Sequence, residues 1–218
     1  YLGILFDELE KQGLNKNTYI IFTSDHGEEF EDHNGWWHGF TLYQEMLHVP
    51  LIVKVPDSKA NPENMNKKVD FLVRLIDLSA TIPKIAGIQP PETFEGIPLL
   101  SEEGKVISPE SNIYAWAEND AEGQIMQSIR DKTHKLILAN PDNPRRLEPE
   151  ELYDLSKDAK EKNNLSNSPD FSSIKQKLHQ KMNELKGNNK GEESKKSSEQ
   201  VPLPPELIEQ LKATGYMQ

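Results

Sequence analysis

The chain has 218 residues, with 25 Lys and Arg against 36 Asp and Glu for a formal charge of −11, no cysteine, 35% hydrophobic residues and a mean hydropathy of −0.73. Without cysteine, disulfides, thiolate nucleophiles, Cys-type zinc sites and iron–sulfur clusters are excluded, and any metal must be held by oxygen or imidazole. The negative charge opposes broad electrostatic binding to nucleic acid or anionic membrane, no apolar run reaches the roughly 18–20 residues of a membrane span, and the low hydrophobic content predicts that part of the chain is tail.

The chain opens at Tyr1 without an initiator Met or signal segment and reads as a fragment, with Leu2, Leu5, Phe6 and Leu9 on one helical stripe. Gly13 suits the left-handed position that closes such a helix. Thr18 to Thr23 is a nearly continuous β-branched and aromatic run, the pattern of a strand covered on both faces in a parallel sheet, and it stops at Ser24-Asp25-His26-Gly27. In open α/β sheets ligands bind beyond the carboxyl ends of strands, so these polar residues stand where chemistry is built. A second strand is predicted over Val49 to Val55. A helix follows over Arg74 to Ala86, with Asp77 or Ser79 near its first turn and Gly87 closing it.

This alternation of helix and strand predicts an α/β fold. Glu95 to Pro109 turns to Gly, Pro, Ser and charge and marks a boundary. Beyond it Asn112 to Ala117, Gln124 to Arg130 and Lys135 to Ala139 read as strands of a small antiparallel subdomain, the last two joined through Asp131 to His134. Ile174 to Leu185 reads as an exposed helix, Lys186 to Glu199 as a disordered run, and Pro205 to Ala213 as a last short helix. The expected divisions are therefore 1–105 for the end of a catalytic domain, 106–165 for the antiparallel subdomain and 166–218 for the tail.

Thr23 to Pro50 holds four of the six histidines, His26, His33, His38 and His48, among Asp25, Glu28, Glu29, Glu31 and Asp32. Neighbouring residues on a strand point to opposite faces, so Asp25 and His26 can share an ion only where the chain leaves the sheet, and Gly27 permits that turn. A carboxylate with a neutral imidazole suits Mn or Zn and is tolerable for Ca or Mg, and further ligands must come from elsewhere. His38, in Trp37-His38-Gly39, lies a loop's length downstream, where an imidazole can bind an anion or protonate a leaving oxygen. His33 and His48 are expected to be structural. Glu28, Glu29, Glu31 and Asp32 lack the spacing of a calcium loop and read as a solvated acidic loop. Trp36 and Trp37 either line a substrate mouth or pack at a rim.

Ser24-Asp25-His26-Gly27-Glu28, then His38-Gly39, Leu42-Tyr43, Glu45 and Val49-Pro50-Leu51-Ile52, resembles the C-terminal half of a sulfatase, in the alkaline-phosphatase-like superfamily. Leu75-Ile76-Asp77-Leu78 through Ala86-Gly87-Ile88, Glu95-Gly96-Ile97-Pro98-Leu99-Leu100, Ile129-Arg130 through Lys135-Leu136-Ile137, and Glu151-Leu152-Tyr153-Asp154-Leu155 with Asn164-Leu165 agree in order, as does Leu211 to Tyr216 at the end. The resemblance implies an alkaline-phosphatase-like sandwich with a small antiparallel β subdomain, and hydrolysis of a sulfate ester carried by a small molecule or glycan. It further implies that Asp25 and His26 ligate a divalent cation, usually calcium in sulfatases, with Mg, Mn or Zn as alternatives, and that His38 contacts the sulfate.

The other ligands and the formylglycine nucleophile would belong to an N-terminal half, without which this chain is expected to be inactive. Many relatives are exported or lysosomal, so the resemblance points outside the cytoplasm, although the residues themselves assign neither compartment nor oligomeric state. Many sulfatases carry Asp-Asn where this chain has Asp25-His26 and Lys where it has His38. The Asp-His version also occurs in relatives that cleave phosphodiesters or phosphonates or transfer phosphoglycerol, and this alternative stays open. Pro83 inside the helix and Ala80 in place of the family's Pro imply a shifted kink. A non-catalytic acidic binding module is the alternative of another class; a half-domain would expose an apolar sheet edge, whereas a module would melt cooperatively as a monomer.

Overall fold

The structure is a computed structural model that describes residues 1–60, 67–109, 113–121, 123–189, 204, 208 and 209. By their internal contacts Tyr1–Glu184 form one compact unit and Leu185–Gln218 another. No helix of the described residues is long and apolar enough to cross a membrane.

Helix α1, Leu2–Lys11, ends as its sequence demands, with Gly13 in the left-handed region at φ 69°. Strand β1, Ile20–Thr23, leads into the short β2, Glu29–Phe30, and β3, Trp36–Trp37, which pair with each other. One turn of helix, α2, Gln44–Leu47, precedes β4, Leu51–Lys54. Strand β1 pairs with β4 antiparallel, Ile21 opposite Val53 and Phe22 opposite Ile52, and its residues are half-buried. This corrects the expected parallel neighbour covered on both faces. A continuous apolar run reports what a strand can bury, not the direction of the strand beside it. Among the described residues the ladder is open, with Ile52 63% exposed and Ile4, Leu5 and Phe6 of α1 exposed too.

Helix α3, Ile76–Ile85, is tied to the segment after it by two buried polar side chains. Asp77 pairs with the Arg74 guanidinium at 2.7 Å and accepts the Arg74 and Ile97 amides at 2.8 and 2.9 Å. The Thr81 hydroxyl donates to the Asp77 carbonyl and accepts the Leu99 amide. Gly96 lies so near the start of α3 that a Cβ would sit 2.2 Å from the Ile76 carbonyl oxygen. Pro83 falls in the last turn, and the Ile88 and Ala86 amides close on its carbonyl.

A four-stranded antiparallel meander follows: β5, Ala115–Ala121; β6, Gln124–Arg130; β7, His134–Ala139; and β8, Glu150–Asp154, paired in that order. Asp131 shapes the β6–β7 turn, its Oδ1 accepting the Thr133 and His134 amides at 2.8 Å. Strand alternation gives the meander two buried faces. One carries Met126, Ile137, Ala139 and Tyr153, which cluster with Leu42 and Tyr43 from the polar segment ahead of β4. The other carries Ile129, Leu136 and Leu152 in register, all fully buried.

Helix α4, Ser172–Asn189, is held to β8 by Lys175 and His179 on Glu150, which shares the face of Leu152, and its Leu178 and Met182 are fully buried. The helix expected to be exposed is therefore docked. Its apolar residues at i and i+4 form a narrow stripe that a low overall hydrophobicity concealed. It also runs through Lys186–Asn189, where disorder is expected from composition. The rest of that run, residue 112 of the first predicted subdomain strand, and the last predicted helix apart from the helical Ile208 and Glu209 lie outside the described residues.

Truncation of Leu136 to Ala removes a fully buried side chain from the centre of the meander and is expected to cost about 2–5 kcal/mol in urea unfolding of the full-length protein. An unchanged midpoint would place Leu136 outside the core.

Candidate functional site

The polar residues after β1 sit on a backbone clamp. The Gly27 amide donates to the Met46 carbonyl at 2.8 Å and the Glu28 amide to the Glu45 carbonyl at 3.1 Å, so the carbonyl end of α2 holds the turn from behind. A Cβ on Gly27 would lie 1.8 Å from the Glu45 carbonyl oxygen, so only glycine admits this approach. Ahead of it the Ser24 hydroxyl donates to the His26 carbonyl at 2.6 Å, and Asp25 Oδ1 accepts the His26 amide at 3.0 Å. These bonds turn the chain out of the sheet and set the Asp25 and His26 side chains on one side.

Asp25 Oδ2 and His26 Nε2 are 3.8 Å apart, a separation suited to two donors that share one ion at about 2.0–2.6 Å. His26 Nδ1 lies 2.8 Å from the Gly27 carbonyl, which can only accept, so Nδ1 carries the proton and Nε2 is the ring's basic nitrogen. The pair thus fits a divalent cation in distance, charge and tautomer. Among the described residues no group of three metal-capable side chains forms.

The hairpin of β2 and β3 brings His38 back to this turn. Its ring stacks on His26 with centroids 4.6 Å apart, and its Nδ1 lies 3.2 Å from Glu28 Oε2. Asn119 of β5 donates to the Gly39 carbonyl at 2.7 Å and holds the segment after His38. Asp25, His26 and His38 therefore meet, and Glu28 joins them as the residue that orients His38. The reading of Glu28 and Glu29 as solvated is corrected: Glu29 is fully buried and paired with Arg145 at 2.9 Å, Glu28 is half-buried, and of the four carboxylates Glu31 and Asp32 alone are exposed. Arg145 is 116 residues away, so no local pattern could have named it as the partner.

His33 has the structural surroundings expected of it. It bonds Glu45 through Nδ1 and the Glu161 carbonyl through Nε2 at 3.0 Å, and its ring stacks on Tyr43 at 3.7 Å. Tyr43 and Tyr153 both donate to Glu151 Oε2 at 2.9 Å, and fully buried Lys135 pairs with fully buried Glu161 at 2.7 Å. Burial alone pulls the His33 pKa down, but the bonds to Glu45 and Glu161 and the charge of Glu45 outweigh it and leave the pKa raised. Burial pushes Glu151 and both tyrosines up and Lys135 down. His48 is exposed ahead of β4.

Residues 32–188 match the family model described as "N-sulphoglucosamine sulphohydrolase, C-terminal". The chain is 30% identical over 193 residues to the N-acetylglucosamine-6-O-sulfatase of Bacteroides thetaiotaomicron, covering 84% of this chain and 32% of that protein. Among solved structures, one in complex with its substrate D-glucosamine-2-N,6-O-disulfate aligns with a TM-score of 0.68 and 25% identity, over 90% of this chain and 39% of that one. The fold of the phosphonate monoester hydrolase of Agrobacterium radiobacter aligns with a TM-score of 0.68 at 24% identity, over 86% of this chain and 38% of that one. The chain spans between 23% and 32% of the first curated relatives' length.

Because the His33 pKa lies above its ordinary 6.5, the proton-linked stability is complete below that value and is lost as pH rises through the folded-state pKa. Glu45→Gln is therefore expected to destabilise the protein more at about pH 6 than at about pH 8.5 in thermal melts. Equal losses at both would show that His33 does not bind its proton more tightly when folded.

Proposed function

Because the chain belongs to the sulfatase family, as a C-terminal portion with an alkaline-phosphatase-like fold, we propose that the full-length protein is a metal-dependent hydrolase of sulfate esters. The observation that carries this reading is the meeting of Asp25 and His26 on the turn beyond β1 with His38 stacked over His26. Asp25 and His26 would supply two ligands of a divalent cation, calcium by family analogy and Mg, Mn or Zn as alternatives, with the remaining ligands and a formylglycine nucleophile outside this chain. The cation would polarise the sulfate oxygens as a Lewis acid. Asp25 contributes the anionic oxygen, and the Gly27 carbonyl, by holding the proton on Nδ1, keeps His26 in the tautomer that can ligate.

His38 would bind a sulfate oxygen, with Glu28 fixing the ring that does so. The substrate is proposed to be a sulfated amino sugar. That reading is supported by the name of the bacterial relative and by the sulfated glucosamine held in the structural neighbour. The Asp25-His26 pair also suits phosphodiester or phosphonate hydrolysis, or phosphoglycerol transfer, and parallel assays on sulfate and phosphate esters decide between them. Within this reading, residues 1–105 form the end of the catalytic domain, 106–165 the antiparallel subdomain and 166–218 the tail.

In the full-length protein Asp25→Ala is expected to lose bound metal and activity together, by at least about 100-fold in turnover, as removal of a charge-stabilising group at such sites does. Retention of both would take Asp25 out of the ligand set. For His38→Ala the expected result is a comparable loss of turnover with metal content unchanged by atomic absorption; normal turnover would end its assignment to the sulfate.

A further inference from the structure

The hairpin that carries His38 into the site also displays three large aromatic side chains that the reading above does not use. Phe30, Trp36 and Trp37 are 68%, 56% and 71% exposed. Phe30 and Trp36 face each other across the ladder and meet edge to face at 6.4 Å. Trp37 is different. Its ladder partner is Glu29, which is fully buried, so regular alternation would carry the indole to the buried side. Instead Trp37 has φ 78°, a conformation rare for a bulky residue, and its ring stands in solvent one residue before His38.

This exposure is built in. Arg145 binds the buried Glu29 at 2.9 Å and the His33 carbonyl at 3.2 Å, and Lys162 bonds the Asp32 carbonyl. Gly35 lets the guanidinium pass where a Cβ would meet it at 2.0 Å. The hairpin is thus held from its buried face while the indole is turned outward one residue before His38. The exposed carboxylates of Glu31 and Asp32 on the same turn repel anionic surfaces but accept hydroxyl donors. An electron-rich indole face beside hydroxyl acceptors suits a ring with polarised C–H bonds on its face and hydroxyls on its edge.

We propose that Trp37 is a stacking platform for the pyranose ring of the sulfated sugar, and so a specificity-determining residue that favours saccharide esters over simple alkyl sulfates. This rests on the proposed hydrolysis of sulfate esters and names the group that carries the sulfate.

The test compares the full-length protein with its Trp37→Ala and Trp37→Phe variants, using N-acetylglucosamine 6-sulfate and ethyl sulfate as substrates and calorimetry for sugar binding. In Trp37→Ala the KM and Kd for the sugar sulfate should rise about 5- to 10-fold with kcat changed less than about twofold, which corresponds to roughly one stacking contact. Trp37→Phe should recover most of the loss, and ethyl sulfate kinetics should not move. Unchanged sugar KM and Kd, equal losses on both esters, no sugar binding by the unaltered protein, or an effect confined to self-association in sedimentation would each overturn the platform. Should the unaltered protein bind the sugar sulfate without hydrolysing it, the hydrolase reading falls, and the Kd comparison still decides the role of Trp37.

Discussion

The approach of the Gly27 backbone to the carbonyls of Glu45 and Met46 is the constraint on which the candidate site depends. It fixes where the chain leaves β1 and therefore where Asp25 and His26 stand. Because the clamp is made of backbone groups, any side chain at position 27 would push the turn away from α2. The α2 segment is itself anchored from beyond: Tyr43 before it packs in the cluster formed with Met126, Ile137 and Tyr153 of the meander. The antiparallel sheet thus positions the turn indirectly. It supports α2, α2 holds Gly27, and Gly27 sets the direction in which the Asp-His pair leaves the sheet.

Polar contacts repeat this dependence at higher energetic stakes. Glu29 and Arg145, and Lys135 and Glu161, place charges in the interior, where each partner is needed to offset the desolvation of the other. Glu161 also accepts the Gln44 amide at 2.6 Å, so the same carboxylate that neutralises Lys135 of β7 caps the start of α2. Replacing such pairs with apolar residues can be neutral for stability, but losing one partner leaves a buried charge uncompensated. What these pairs supply is a defined placement: Glu29 and Arg145 join the loop between β1 and β4 to the meander, and Lys135 and Glu161 join the meander to the segment after it, from which Glu161 reaches the Gln44 amide.

The legible part of the fold is that which local chemistry dictates. Gly13 and Gly87 close helices where their left-handed conformations are needed, Asp131 makes its turn, and Gln124–Arg130 forms a strand over the predicted residues. The motif at Ser24 to Gly27 marks Asp25 and His26, and the spacing to His38 brings the third residue, because a short hairpin returns the chain to its start. Less legible are features set by distant partners. Glu28 and Glu29 stand next to each other in an acidic run, yet one faces His38 and the other is buried on Arg145. Nothing in the run distinguishes them: Glu28 lies just ahead of the two-residue strand that Glu29 opens. The antiparallel partner of β1 and the docking of α4 were obscured for a related reason: hydrophobic pattern states how much surface an element can bury, and leaves open which neighbour covers it.

The hairpin between the clamp and α2 shows how one short segment can serve both structure and chemistry. Its inward positions, Glu29 and Gly35, are committed to Arg145, and its turn carries Glu31 and Asn34 in left-handed conformations. Such backbone strain persists only where the surroundings over-determine it. Here the surroundings are the Arg145 pair, the Lys162 bond to Asp32 and the stacking of His38 on His26. The last of these is the one that ties strain to the site. Trp37, at φ 78° and with its indole exposed, immediately precedes the His38 that stacks on His26. A residue in the left-handed region thus stands where the hairpin hands the chain to the imidazole, between the polar anchors on Arg145 and the turn that carries Asp25 and His26.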